Sequence, residues 1–240
     1  MAVFKIFRYS PETKESRSEY QLELKSDASV LDGLHAIRTE YDPTLAYRFS
    51  CRSAVCGSCA MWINGRPRLA CQTKVGDLGG PIKVGPLPGL PVIKDLVVDM
   101  KVLWDAYRNI MPWLVEKPGA KDMVITKKTS DVMEKFFTCI LCAACVASCP
   151  EAGAKHTYLG PMPLMEGYRL YCDPRDNAKQ ERKKVLGGPD GVWGCHNAFA
   201  CLDSCPWDVA PVQFIAKLRL ELMSDKFKRT NSVQRPGGCR

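Results

Sequence analysis

Thirteen cysteines dominate the chemistry open to this 240-residue chain. All but two of them, Cys172 and Cys239, fall into three groups. Cys51, Cys56 and Cys59 form C-x4-C-x2-C, with Cys71 as a distant fourth. Cys139, Cys142, Cys145 and Cys149 form C-x2-C-x2-C-x3-C, followed by Pro150. Cys195, Cys201 and Cys205 form C-x5-C-x3-C, followed by Pro206. Thiolates this closely spaced chelate soft metals, so the readings to weigh are structural zinc and iron–sulfur clusters. Other catalytic kits are missing. There are three histidines in all (His35, His156, His196), no Ser-His-Asp arrangement and no G-x-G-x-x-G after a strand.

The first group has the plant-type [2Fe-2S] spacing, with Cys51, Cys56, Cys59 and Cys71 as ligands. Zinc takes paired C-x2-C elements and fits this loop badly. A thiolate-held cluster is anionic and needs N–H donors at its sulfurs. The loop CRSAVCGSC supplies them with small residues, Ser53, Ala54, Gly57 and Ser58, and has Arg48 and Arg52 close by.

The second group is the bacterial cubane run ending in Cys-Pro, in which the fourth cysteine serves the other cluster. Laid on it, CHNAFACLDSCP places Cys195 at the first position, Cys201 at the third, Cys205 at the fourth and Ala198 at the second. Crossed ligation then assigns Cys139, Cys142, Cys145 and Cys205 to a [4Fe-4S] cluster. Cys149, Cys195 and Cys201 hold a second cluster whose fourth corner faces Ala198. A three-thiolate site favours [3Fe-4S]. Cys172 and Cys239 are left over and are expected to be a buried thiol and a tail thiol.

These loops need a scaffold. Hydrophobic residues at 46% and charged residues at 25% exclude disorder as the main state. Strand patterns at Val3–Tyr9 and Tyr20–Leu24 are followed by a helix from Val30, capped by Asp27 or Ser29 and stopped by Asp42-Pro43. A hairpin turns at Asn64-Gly65 between Met61–Ile63 and Leu69–Val75. Pro81–Pro91 holds one short strand at Ile82–Val84, and residues 92–116 read as a partly helical connection. Beyond Lys117-Pro118-Gly119 the pattern is helical: from Ser130 or Asp131, over Pro163–Tyr171 and over Ala210–Met223. The expected fold is α+β. A plant-type ferredoxin (β-grasp) domain over 1–116 is followed by an all-α bacterial-ferredoxin-like domain with two cubane-type clusters over 117–240.

No stretch approaches the roughly 20 apolar residues of a membrane span, and the N-terminus lacks the pattern of a secretory signal. A reducing compartment is therefore expected, where such cysteines bind metal. The net charge of +8 fits an acidic partner or an anionic surface. Nucleic acid is not expected, because no basic stripe with interleaved aromatics occurs. Three clusters without a substrate site describe a wire.

The cysteine order resembles that of the iron–sulfur subunits of succinate dehydrogenase and fumarate reductase, the complex II family. SCRSAVCGSCAMWINGRPRLAC, VIKDLVVD, the segment around YCDPRD and GVWGC carry the resemblance over nearly the whole chain. It implies an electron-transport subunit of a quinone-linked oxidoreductase serving the tricarboxylic acid cycle or anaerobic respiration. It also implies two partners: a flavoprotein subunit whose FAD works on the dicarboxylate, and a transmembrane anchor with quinone and, in some members, haem b. The chain would sit peripherally on the inner (cytoplasmic) face of the cell membrane, where the basic tail, Lys226 to Arg240, suits anionic lipid. Pro150, His196 and Trp207 are the quinone-proximal residues it implies. Two departures bear on that pocket: EAGAK after Pro150 lacks the tryptophan of the succinate dehydrogenase pattern, and Trp207 stands where many members have lysine. The alternative is the iron–sulfur subunit of a thiol-dependent fumarate reductase or heterodisulfide reductase. Those pair with CCG-repeat domains, which this chain lacks.

Overall fold

A computed structural model describes residues 1–119, 124–155 and 157–230. The chain forms two compact units. One is Met1–Lys101 together with Ile140–Ser148; the other takes the remaining described residues.

The first unit is a mixed sheet with a helix packed on it. Strands β1 (Ala2–Arg8) and β2 (Ser16–Leu22) pair antiparallel, as their alternation requires, with Phe4 and Ile6 fully buried. Strands β3 (Ala60–Ile63), β4 (Arg66–Leu69) and β5 (Ile82–Gly85) complete the order β2-β1-β5-β3-β4. Only the β1–β5 pair is parallel. Helix α1 (Val30–Ala36) starts at a capping box between Ser29 and Asp32 and buries Val30, Leu31 and Leu34. At Gly33 a Cβ would stand 2.3 Å from the Phe4 ring, so only glycine lets the helix approach the sheet this closely. A π-helical turn, Ile37–Tyr41, ends it before Pro43.

The hairpin turns at Asn64-Gly65 as expected, but its second strand is Arg66–Leu69 rather than Leu69–Val75. The residues after Leu69 are used elsewhere: the carbonyls of Ala70 and Thr73 accept from the N–H groups of Leu31 and Val30 and fix the start of α1. Another correction lies at 92–98. The expected connection holds a second hairpin, β6 (Val92–Lys94) and β7 (Val97–Val98), turned at Asp95. Its purpose is electrostatic. The buried Asp95 carboxylate accepts from Arg8 Nε and Tyr9 N at 3.0 Å and from Ala46 N at 2.9 Å. Asp95→Ala is expected to destabilise this unit by about 3 kcal/mol, because a partly buried guanidinium loses one of its two carboxylates and two amides lose their acceptor. A lowered urea midpoint with an unchanged slope checks it.

The second unit is helical. Helix α2 (Lys101–Asn109) leads into it. Helix α3 (Lys127–Phe137) starts earlier than expected, because Thr126 supplies the N-cap by accepting from Thr129 N. Helix α4 (Ala144–Ala147) belongs to the first unit, and α5 (Pro150–Ala154) follows. Helices α6 (Pro161–Cys172), α7 (Lys179–Leu186), α8 (Ala200–Asp203) and α9 (Pro211–Thr230) complete the set. Phe136, Leu164, Tyr168, Leu186, Phe214 and Leu218 form the core. The α+β expectation therefore holds: a sheet-based first part and a helical second part. Cys172 is buried but disulfide-bonded, which corrects the expected free thiol. Cys239 and the tail from residue 231 lie outside the described residues.

Candidate iron-sulfur sites

The first loop closes on itself through sulfur. Cys51 Sγ accepts from Ser53 N at 3.4 Å and from Val55 N and Cys56 N at 3.3 Å; Cys56 Sγ accepts from Cys51 N at 3.5 Å. The backbone manages this by left-handed residues at Arg52, Ala54 and Gly57 (φ 59°, 61° and 71°), which turn successive N–H groups to one side. Those hydrogen bonds bring the Cys51 thiol down to about 6, while burial pushes the Cys59 thiol up to about 12. A loop of inward N–H groups around thiols fits an anionic cluster, and its strained residues sit at the site. Arg52 ion-pairs with Asp32 at 2.8 Å, tying the loop to α1.

Gly57 bears on the next group. A Cβ there would lie 2.8 Å from Cys142 Cβ and 2.9 Å from the Ile140 carbonyl oxygen. Ile140 and Cys142 pack onto the sheet core, all within the first unit. The first and second cysteine groups thus meet across a residue with no side chain.

The second and third groups share one backbone. Leu141 and Ala143 are left-handed (φ 54° and 65°) and lead into α4; at one constant shift, Asn197 and Phe199 are left-handed (φ 57° and 59°) and lead into α8. The shift that superposes these residues places Cys195 on Cys139, Ala198 on Cys142, Cys201 on Cys145 and Cys205 on Cys149. Four non-glycine residues in the left-handed region, in two matching pairs, do not arise from packing.

In the second unit Cys149, Cys195 and Cys201 come together. Burial raises the thiols of Cys149 and Cys201, the latter to about 11; Cys195 raises both further, and Cys149 adds to the effect at Cys201. Buried thiols become thiolates when a metal centre supplies the compensating charge, so this donor set suits an iron–sulfur group. No set of three or more His, Cys, Asp or Glu among the described residues stands at the distances of one metal ion.

Of the quinone-proximal residues, Pro150 and Trp207 are exposed, and so is His196, whose Nδ1 faces Glu151 Oε1 at 2.8 Å. Sequence reasoning missed Tyr158 and Arg219. Arg219 donates to the carbonyls of Val192 and Cys195 at 2.7 Å and stacks over Trp193, fixing the entry to the third group. Tyr158 is 5% exposed beside the thiol trio. Burial pushes its phenol well above the usual tyrosine range, and Cys195, Cys149 and Cys201 add to the effect. No local pattern marks either residue, because each reaches its cysteine from a distant element.

Residues 3–105 match the 2Fe-2S iron-sulfur cluster binding domain and residues 131–206 match the 4Fe-4S dicluster domain. A fumarate reductase iron-sulfur subunit of Haemophilus influenzae is 35% identical over 236 residues, 92% of each chain. The chain belongs to the succinate dehydrogenase and fumarate reductase iron–sulfur subunits. A mitochondrial succinate dehydrogenase [ubiquinone] iron-sulfur subunit of Dictyostelium discoideum is 36% identical, covering 90% of this chain and 80% of its own. Among solved structures, a chain of the Mycobacterium smegmatis Sdh1 complex in the apo form superposes with a TM-score of 0.85 at 26% identity, covering 94% and 97% of the two chains. This member of the succinate dehydrogenase and fumarate reductase family is therefore an oxidoreductase subunit of the electron-transport type, with [2Fe-2S]- and [4Fe-4S]-binding domains. No described helix is long and apolar enough to cross a membrane.

Proposed function

We propose that this chain relays single electrons between the FAD of a flavoprotein partner and quinone at a membrane anchor. Bound [2Fe-2S], [4Fe-4S] and [3Fe-4S] clusters supply the one-electron chemistry. Cys51, Cys56, Cys59 and Cys71 hold the first, and Cys139, Cys142, Cys145 and Cys205 the second. Cys149, Cys195 and Cys201 hold the third. Residues 1–116 carry the [2Fe-2S] site and 117–240 the other two. The chain works as a peripheral subunit on the inner face of the membrane, with Pro150, His196 and Trp207 toward the quinone. The observation that supports this reading is the matched left-handed backbone of the second and third groups, on which Ala198 is read as the ligand position left without a thiol.

The test is purification of the intact complex from native membranes. A flavoprotein and an anchor should co-purify, succinate:quinone or quinol:fumarate activity should be present, and the oxidised complex should show a three-iron EPR signal. A complex without that signal overturns the third cluster; a colourless protein without iron and sulfide overturns the whole reading.

Crossed ligation has its own check. Cys205→Ala, although in the third group, should cost the reduced-state four-iron EPR signal, whereas Cys149→Ala should cost the oxidised three-iron signal. The opposite pattern would mean that each run serves its own cluster.

A further inference from the structure

Tyr158 is a polar side chain with no account of its polarity. Its hydroxyl is fully buried and finds no hydrogen-bond partner in the protein, although buried hydroxyls are nearly always paired. The ring is pinned from several sides. A Cβ on Gly194 would meet Tyr158 Cδ2 at 2.7 Å, so the residue just before Cys195 is flush against the ring. Tyr158 N donates to Lys155 O at 3.0 Å and Leu159 N to Asp190 O at 2.9 Å. Asp190 in turn accepts from Thr157 Oγ1 at 2.9 Å and pairs with Lys155 at 2.6 Å. The titratable neighbours of the phenol are the sulfurs of Cys195, Cys149 and Cys201.

We infer that the Tyr158 hydroxyl donates a hydrogen bond to a sulfur of the centre held by Cys149, Cys195 and Cys201, and so raises the potential of that centre. This rests on the reading that the trio holds a [3Fe-4S] cluster. The physical reason is electrostatic. Adding an electron makes the sulfurs more negative, and a fixed donor in a water-poor site stabilises the more negative state. Tyr158 thus tunes the relay directly: it favours arrival of the electron at the last centre before the acceptor.

Tyr158→Phe in the intact complex removes the donor and keeps the ring. The expected result is a fall in midpoint potential equivalent to a change of about tenfold in the one-electron equilibrium, or about 59 mV. It is read by EPR-monitored redox titration of the oxidised three-iron signal, with the [2Fe-2S] potential unchanged. A second readout is spectroscopic: wild type in D2O should lose an exchangeable proton coupled to this centre, and Tyr158→Phe should lack that proton from the start. Unchanged potential and unchanged proton coupling overturn the inference. Absence of the three-iron signal from wild type overturns instead the reading on which it rests.

Discussion

Ala198→Cys is expected to turn the proposed three-iron centre into a four-iron one. The oxidised EPR signal should vanish, a reduced-state signal should replace it, and the potential should drop. The reasoning is geometric first. Ala198 stands where Cys142 stands in the other run, between residues with the same left-handed dihedrals, so a thiol there is delivered by a backbone already shaped for a ligand. The position is exposed. The fall in potential follows from cluster type: the site passes from a three-iron to a four-iron couple, whose added iron and thiolate leave the net charge the same while changing the redox pair itself. Each ~59 mV of fall is tenfold against electron arrival, so quinone-linked turnover should suffer far more than assays that draw electrons upstream. Redox titration of purified variant and wild-type complexes checks this. An unaltered three-iron spectrum would show that the corner does not face residue 198.

Arg182→Ala should be the most damaging substitution away from the clusters, costing about 3–5 kcal/mol. Arg182 and its partner Asp176 are both 0% exposed. Arg182 Nη2 also donates to the carbonyls of Met111, at 2.9 Å, and Trp113, while Asp176 accepts from Val115 N at 3.1 Å and Ala178 N at 3.0 Å. The pair therefore fastens the irregular segment around 111–117 to α7. Truncating the arginine strands a buried carboxylate and two carbonyls. The measurement is the unfolding midpoint and cluster retention of the variant complex. Removing both charges, by Arg182→Met with Asp176→Leu, should recover part of the loss, because desolvation of a lone charge is then avoided. If the double variant loses as much as Arg182→Met and Asp176→Leu lose singly, added together, the pair is not coupled.

Much of the site was legible because cluster chemistry is written in local spacing. Cys139 to Cys149, and Cys195 to Cys205, each lie on one short stretch whose dihedrals the loop itself dictates. The sheet was legible where strands alternate, as in Ala2, Phe4 and Ile6, and the start of α1 where Ser29 and Asp32 reciprocate. What escaped was set by distant partners. The hairpin at 92–98 exists because Asp95 must reach Arg8, Tyr9 and Ala46. The strand after Gly65 stops at Leu69 because α1 claims the carbonyls that follow. Tyr158 and Arg219 gain meaning only once folding brings them to Cys195, and no periodicity announces that.

The first unit borrows Ile140–Ser148 from far along the chain, and Gly57 lies against that borrowed piece. On the ribosome, then, the sheet can be complete while the loop around Cys56 still lacks its neighbour. Synthesis must run past Ser148 before that neighbour exists. A nascent chain halted near residue 116 would leave the loop beside Gly57 open to solvent and to whatever delivers iron. The surface around Gly57 is closed only once the second half of the chain has been made.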